Sequence, residues 1–276
     1  VSVLEKALST ENVQILEQVE CDYWMRYYQG SSVLPTYTTM INGGLACAIP
    51  SLDILAMNRV LGVGLTQPIT QATIDQIRFF YEKAGSARYF IQLPPMIVNE
   101  ELEFLLMANG FAHHNNWTKL YRRVVPLVLE TNRELSIRKI DRSEADNYGQ
   151  LIFMSFDWED TRLASWLAST VGQNGYTHYI VSWKGRDIAA GALFVEGEMS
   201  SMAFAGTLEP FRGLGAQALL LKKRMLRAYA LGAKLITAET SEDKKGRPVA
   251  SARNMMKVGF DIAYQRQNWI YKFDPK

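Results

Sequence analysis

Between Ala216 and Gly232 the apolar and small residues Ala218, Leu221, Met225, Ala228 and Tyr229 fall on one face of a 3.6-residue repeat, with Lys223, Arg224 and Arg227 opposite. This predicts an amphipathic helix that keeps its three cations in solvent and stops at Gly232. The β-rich run KLITAET, Lys234 to Thr240, follows at once, so a strand, helix, strand unit with a parallel crossover is expected. Upstream, the pattern predicts a strand over Leu135 to Ile140 and helices over Ser143 to Phe156 and Thr161 to Val171. Strands over Tyr176 to Trp183 and Ile188 to Val195 flank the turn composition Lys184-Gly185-Arg186-Asp187, and a further strand runs from Met199 to Thr207. Downstream, a helix seeded near Pro248 to Ser251 ends at Gly259, before an aromatic-rich strand. The order β-α-α-β-β-β-α-β-α-β defines a mixed α+β layout, helices packed on a twisted sheet.

Part of this pattern occurs twice. FYEKAGSARYFIQLPP and, later, EFLLMANGFAHHNNWTKLYRR match AYALGAKLITAETSED and ARNMMKVGFDIAYQRQNWIYK. Gly85 pairs with Gly232 and Gly110-Phe111 with Gly259-Phe260 at offsets of 147 and 149 residues, and Trp117 falls opposite Trp269 with three residues of slack. The period is half the chain, far longer than that of a solenoid repeat, and implies an internal duplication. Two units are expected, 1–129 and 130–276, with the boundary in the polar text of Pro126 to Arg133.

Composition narrows the class. Apolar residues at 48% and charged residues at 21% exclude disorder and fibrous repeats. A net charge of +2, with no basic run longer than Lys222-Lys223-Arg224, argues against nucleic acid. No apolar stretch reaches 18 residues and no charged start precedes a short apolar segment, so neither a membrane span nor a secretory signal is expected. Two cysteines, Cys21 and Cys47, lack His neighbours at ligand spacing, so no metal is expected; a disulfide between them stays open, and a cytoplasmic setting fits best.

Two short phrases carry candidate chemistry, RVLGVG (Arg59 to Gly64) and RGLGAQ (Arg212 to Gln217). In the second, a strand end, a glycine-bearing loop and a helix start follow one another directly. Backbone N–H groups of the first helical turn, without internal partners, are then free to point at a diphosphate, and Gly213 and Gly215 let the backbone come close. Arg212 adds a charge-assisted donor. In RVLGVG the segment Arg59 to Leu65 reads as a buried strand, and no helix is expected before Pro68 and the N-cap candidate Thr70, which separates the glycines from any helix start.

AGTLEPFRGLGAQALL, the crossover helix, the following strand and SARNMMKVGF resemble the cofactor-binding half of the GNAT N-acetyltransferase superfamily, and the Arg-Gly-x-Gly-Ala-Gln form resembles its bacterial tandem-GNAT subgroup. The first half is similar to a degenerate copy of the same fold. The superfamily's loop signature is Arg/Gln-x-x-Gly-x-Gly/Ala: RVLGVG meets it in full, whereas RGLGAQ carries Gln217 at its last position, which requires that side chain to turn away from the diphosphate. The resemblance implies acetyl-CoA as cosubstrate, its diphosphate on Arg212, Gly213, Leu214, Gly215, Ala216 and Gln217. Ala205, Gly206 and Thr207 would hold the pantetheine arm and polarise the acyl carbonyl, and Ser251 and Asn254 would contact the arm or the adenosine end. The implied reaction is acetyl transfer to a primary amine, a small molecule or a peptide, by direct attack.

The superfamily's thiolate-protonating Tyr position holds Met255, so Tyr264 on the next strand or solvent must serve, or this half is not catalytic. Glu239, at the end of its strand, is the candidate base. Cys21 and Cys47 read as core residues and His178, inside an apolar strand, as structural. A non-catalytic acyl-CoA sensor stays open as the alternative. A tandem transferase using charged tRNA fits the architecture but neither the loop nor the mild charge. Edge strands leave a homodimer open.

Overall fold

The last strand of each half pairs inside the other half, and this exchange fixes where everything else sits. A computed structural model describes residues 10–31, 33–128, 134–156, 158–241 and 249–274. The first half runs α1 (Thr10–Gln29), β1 (Tyr37–Ile41), β2 (Gly44–Ala48), β3 (Arg59–Leu61), α2 (Gln71–Ala84), β4 (Arg88–Leu93), α3 (Glu100–Ala108) and β5 (Ala112–Arg123). The second runs β6 (Leu135–Lys139), α4 (Ala145–Ser155), α5 (Arg162–Ala168), β7 (Tyr176–Trp183), β8 (Arg186–Glu196), β9 (Met199–Thr207), α6 (Ala216–Ala230), β10 (Leu235–Thr240), α7 (Ala250–Lys257) and β11 (Asp261–Lys272). The expected element order of the second half and its mixed α+β class hold. The 129/130 boundary lies outside the described residues.

Among the described residues the strands form one eleven-stranded sheet in the order β1-β2-β3-β4-β11-β5-β10-β9-β8-β7-β6. The parallel pair β3–β4 in one half corresponds to the parallel pair β9–β10 in the other. Between them lie β11, antiparallel to β4, and β5, antiparallel to β10, and these two also pair antiparallel with each other. Gly85 and Gly232 end α2 and α6 at φ 80 and 82, so the repeated letters mark repeated backbone.

The helix faces follow burial, with one correction. In α6, Leu221, Met225 and Ala228 are buried as expected, but Tyr229 is 49% exposed, Ala218 is exposed and Arg224 is 1% exposed. The helix is turned so that Arg224 enters the core, because its guanidinium donates to the carbonyls of Ala192 (3.0 Å) and Ala203 (3.3 Å), acceptors that a sequence pattern does not reveal. Burial lowers its pKa to about 10.

A largely aromatic core on the other side joins α1, α4 and α5 to β7 and β8, with Tyr27, Tyr148, Trp166 and Phe194 fully buried. His178 of β7 lies at its rim, its Nε2 2.9 Å from Thr170 Oγ1, whose hydroxyl donates to Leu167 O. Thr170 therefore accepts from a protonated Nε2. Burial lowers this imidazole from 6.5 to about 3, so the unfolded chain binds a proton that the folded chain refuses throughout that window, and stability falls with pH. Denaturant titrations from pH 7 to pH 4 are expected to show wild type losing up to about 1.4 kcal/mol per pH unit more than His178→Gln.

Candidate functional site

Strands β9 and β10 pair over three residues only, Leu235 with Met199 through Thr237 with Ser201. Beyond that point β9 stays with β8 as far as Thr207, and β10 stays with β5 as far as Thr240. The facing edges of Met202 to Thr207 and Ala238 to Thr240 therefore separate, and a cavity of about 1000 Å³ opens between the strands. The cause is local: the β8–β9 register shifts between Gly191 and Leu193, which sets Ala203 and Phe204 together opposite Ala192. Such a bulge bends the strand that carries it. Arg224 donates to carbonyls on both sides of this bulge and so pins the bend.

The RGLGAQ loop closes one end of the opening. Gly213 (φ 87) and Gly215 (φ 91) are left-handed; a Cβ on Gly213 would meet nothing within 4 Å, and one on Gly215 only Leu135 Cδ1 at 3.9 Å. The bond from Leu219 N–H to Gly215 O (3.1 Å) is the first of α6, so the N–H groups of Ala216, Gln217 and Ala218 precede the helical ladder. Gln217 donates from Nε2 to Thr207 Oγ1 (2.9 Å), tying the first helical turn to the end of β9. Neither Gly nor Ala could make that bond. Ala205, Gly206, Thr207, Arg212, Gly213, Gly215, Ala216, Gln217, Glu239, Ser251 and Asn254 all line the cavity, and Leu214 is exposed in the loop between its glycines.

RVLGVG is built differently. α2 starts at Gln71, where Thr70 accepts from Thr73 N–H and Thr73 accepts from Thr70 N–H, so the helix start is capped by its own side chains. The space at Gly64 is filled by Ile97 and Ile69, 2.9 and 3.0 Å from where a Cβ would stand. No room for a diphosphate remains there. Arg59 instead turns inward and becomes part of the cavity floor of the other half.

That floor is a buried ion network drawn from both halves. Arg266 of β11 pairs with Glu17 (3.1 Å), Glu20 (3.0 Å) and Glu239. Arg59 pairs with Glu239 (2.8 Å) and Glu20 (3.4 Å), and Lys119 of β5 pairs with Glu20. Burial alone would raise the Glu20 carboxyl, but Arg266, Lys119 and Arg59 together hold it well below the usual carboxylate range. Glu239 reaches the cavity with its side chain 16% exposed; its Oε1 accepts from Arg59 and its Oε2 from Gln92 Nε2 (3.3 Å).

The site does not include Tyr264. Its hydroxyl donates to Glu17 Oε1 (2.6 Å), and burial together with that carboxylate pushes its pKa far above the phenol range. It packs with Val13 and Leu16 of α1 and does not line the cavity, whereas Met255 does. The expected proton donor is thus corrected: strand β11 presents Tyr264 to α1. Cys21 and Cys47 are free, buried thiols, and burial raises Cys47 to about 11, which leaves neither as a nucleophile at neutral pH. Among the described residues no cluster of His, Cys, Asp and Glu fits a metal ion, and no helix is long and apolar enough to cross a membrane.

Sequence reasoning did not place first-half residues on the cavity wall, among them Glu20, Tyr23 and Trp24 of α1, Arg59 of β3 and Trp117 of β5. Burial raises the Tyr23 phenol well above its ordinary value. Trp117 is legible only as a landmark of the repeat and Arg59 only as the start of RVLGVG, neither as part of this cavity.

No family model and no curated protein matches the sequence. Solved structures do match in fold. A GCN5-related N-acetyltransferase from Kribbella flavida aligns over 95% of each chain at 14% identity and a TM-score of 0.65. One from Sphaerobacter thermophilus aligns over 98% of this chain and 95% of its own at 10% identity and 0.62. A tandem GNAT protein from the clavulanic acid biosynthesis pathway aligns over 99% and 97% at 13% identity and 0.59. The chain has the tandem GNAT fold.

Proposed function

We propose that the chain is an acetyl-CoA-dependent N-acetyltransferase whose second half binds the cofactor. The observation that carries this reading is the junction of split strands, open left-handed glycines and an uncapped helix start in one cavity. Acetyl-CoA supplies an acyl group activated as a thioester. Its diphosphate fits the N–H groups of Ala216 to Ala218, with Arg212 beside them, since donors at a helix start favour an anion by charge as well as by bonding. The unpaired edge of β9 from Ala205 to Thr207 suits the amide-rich arm, with Ser251 and Asn254 of α7 across the gap.

In the transfer the amine nitrogen forms a bond to the acyl carbon while the carbon–sulfur bond breaks. Glu239 receives the ammonium proton, directly or through one water, and the departing thiolate is protonated from solvent. Backbone donors at the β9 bulge stabilise the developing oxyanion. Glu239→Gln keeps the shape of the side chain and removes the base; kcat is expected to fall roughly a hundredfold with the acetyl-CoA affinity nearly unchanged.

Calorimetric titration with acetyl-CoA tests the cofactor reading: saturable binding is expected, and none at millimolar ligand would sink it. Met255 at the cavity and a Glu239 already paired with two guanidinium groups favour a second reading, a non-catalytic acyl-CoA sensor. That reading requires binding without turnover of any amine, and one active acceptor removes it.

A further inference from the structure

One wall of the cavity is aromatic. Phe156 and Trp158 stack with centroids 4.6 Å apart and planes 9° apart, and Phe204 stands edge-on to both at 6.2 and 6.1 Å. Phe204 also meets Trp24 edge-on at 5.6 Å. Phe156 is 44% exposed although it has a large apolar ring, and it is on the cavity that this ring borders. An aromatic guest can extend such a stack at the usual centroid spacings and remove that area from water.

The bulge places the aromatic wall on the far side of β9 from α6. Met202 packs with Leu221 and Met225 of α6, while Ala203 and Phe204 belong to the core formed by α1, α4 and α5. An acyl group held at the bulge would lie between the two.

Among the described residues the floor offers no spare charge. Glu17, Glu20 and Glu239 are balanced by Arg59, Lys119 and Arg266, and Arg59 is itself held against the rings of Trp24 (4.4 Å) and Trp117 (5.6 Å). The other cations that line the cavity, Arg212, Arg224 and Lys257, belong to the loop, α6 and α7, the elements assigned to the cofactor. Among the described residues, a polyamine finds no carboxylate on the cavity beyond Glu20 and Glu239 for its additional ammonium groups, and an amino acid finds no guanidinium outside that floor and the cofactor elements.

We infer that the acceptor is a small primary amine borne on an aromatic ring, without a carboxylate or a second cationic group, whose ring packs against Phe156, Trp158 and Phe204. This rests on the transferase reading above. At saturating acetyl-CoA, kcat/KM for 2-phenylethylamine is expected to exceed that for butylamine, L-phenylalanine and spermidine by at least about tenfold, the scale set by one well-filled apolar contact surface. Phe156→Ala and Trp158→Ala are each expected to raise KM for 2-phenylethylamine about tenfold and to leave CoA affinity within about a factor of two; Phe156 lies at the surface, so its removal does not threaten folding. A separate calorimetric titration measures 2-phenylethylamine binding to the CoA-loaded and the free protein. Acetyl-CoA binding with equal or better turnover of the polar amines overturns the acceptor assignment and leaves the transferase reading intact. Binding of 2-phenylethylamine without any binding of acetyl-CoA sinks the transferase reading and supports the aromatic amine site. Failure of both ligands to bind overturns both.

Discussion

Gly215→Val is expected to weaken acetyl-CoA binding at least about a hundredfold, the loss of about 2.7 kcal/mol. Two effects act together. The residue sits at φ 91, where a β-branched side chain is strained by roughly 1–3 kcal/mol, so the backbone relaxes and the first turn of α6 moves with it. That turn carries the N–H groups of Ala216, Gln217 and Ala218, and a charged acceptor is worth about 1.5–3 kcal/mol per hydrogen bond, so misdirecting two of them already accounts for the loss. Gly232→Val is the control. It imposes a similar strain (φ 82) with equally open space at the other end of the same helix, so its thermal stability should fall comparably while calorimetry finds acetyl-CoA affinity preserved. An undiminished affinity in Gly215→Val, or equal losses in both variants, would remove the loop from the binding site.

The comparison of RGLGAQ with RVLGVG shows which information is local. Thr70 as a cap, Gly232 as a stop and the strand from Met199 to Thr207 all depend on neighbours within a few residues, and each is found where the sequence places it. The partner of a strand is not local. The text of β5 and β11, AHHNNWTKLYRR and DIAYQRQNWIYK, marks extended segments, but nothing in it says that each pairs within the other half. For the same reason nothing local marks Lys119 and Arg266 as buried cations. They are buried because Glu17 and Glu20 arrive from α1, about a hundred and nearly two hundred and fifty residues away in sequence. Arg224 repeats the lesson on a helix: its acceptors are carbonyls exposed by a bulge, and neither charge nor periodicity announces a bulge. The RGLGAQ turn was legible because it is built from local backbone chemistry, whereas the aromatic wall of the cavity required knowing that Trp24, Phe156 and Phe204 converge.

Arg266→Met is expected to destabilise the fold by about 3–5 kcal/mol, measured by denaturant unfolding at pH 7. Methionine fits the space and removes the cation, which leaves Glu17, Glu20 and Glu239 buried or half-buried with one guanidinium fewer among them. Glu17 suffers most, since Arg266 is its cation and its other bond is the Tyr264 hydroxyl. Adding Glu17→Gln is therefore expected to recover at least about 1 kcal/mol, as coupling between contacting groups predicts. Arg162→Ala, which breaks an exposed pair with Asp160, should cost under about 1 kcal/mol and sets the scale. The acid limb supplies an independent sign. In wild type the Glu20 carboxyl is held below its unfolded value of 4.5, so its contribution is fully present above that pH and is lost as pH falls. Without Arg266 the push of burial has less to oppose it, the folded variant takes up protons more readily, and the stability gap to wild type narrows between pH 7 and pH 4. A gap that is small at pH 7, or that widens toward acid, would show that the exchanged strands are held by their ladders and aromatic packing and not by this network.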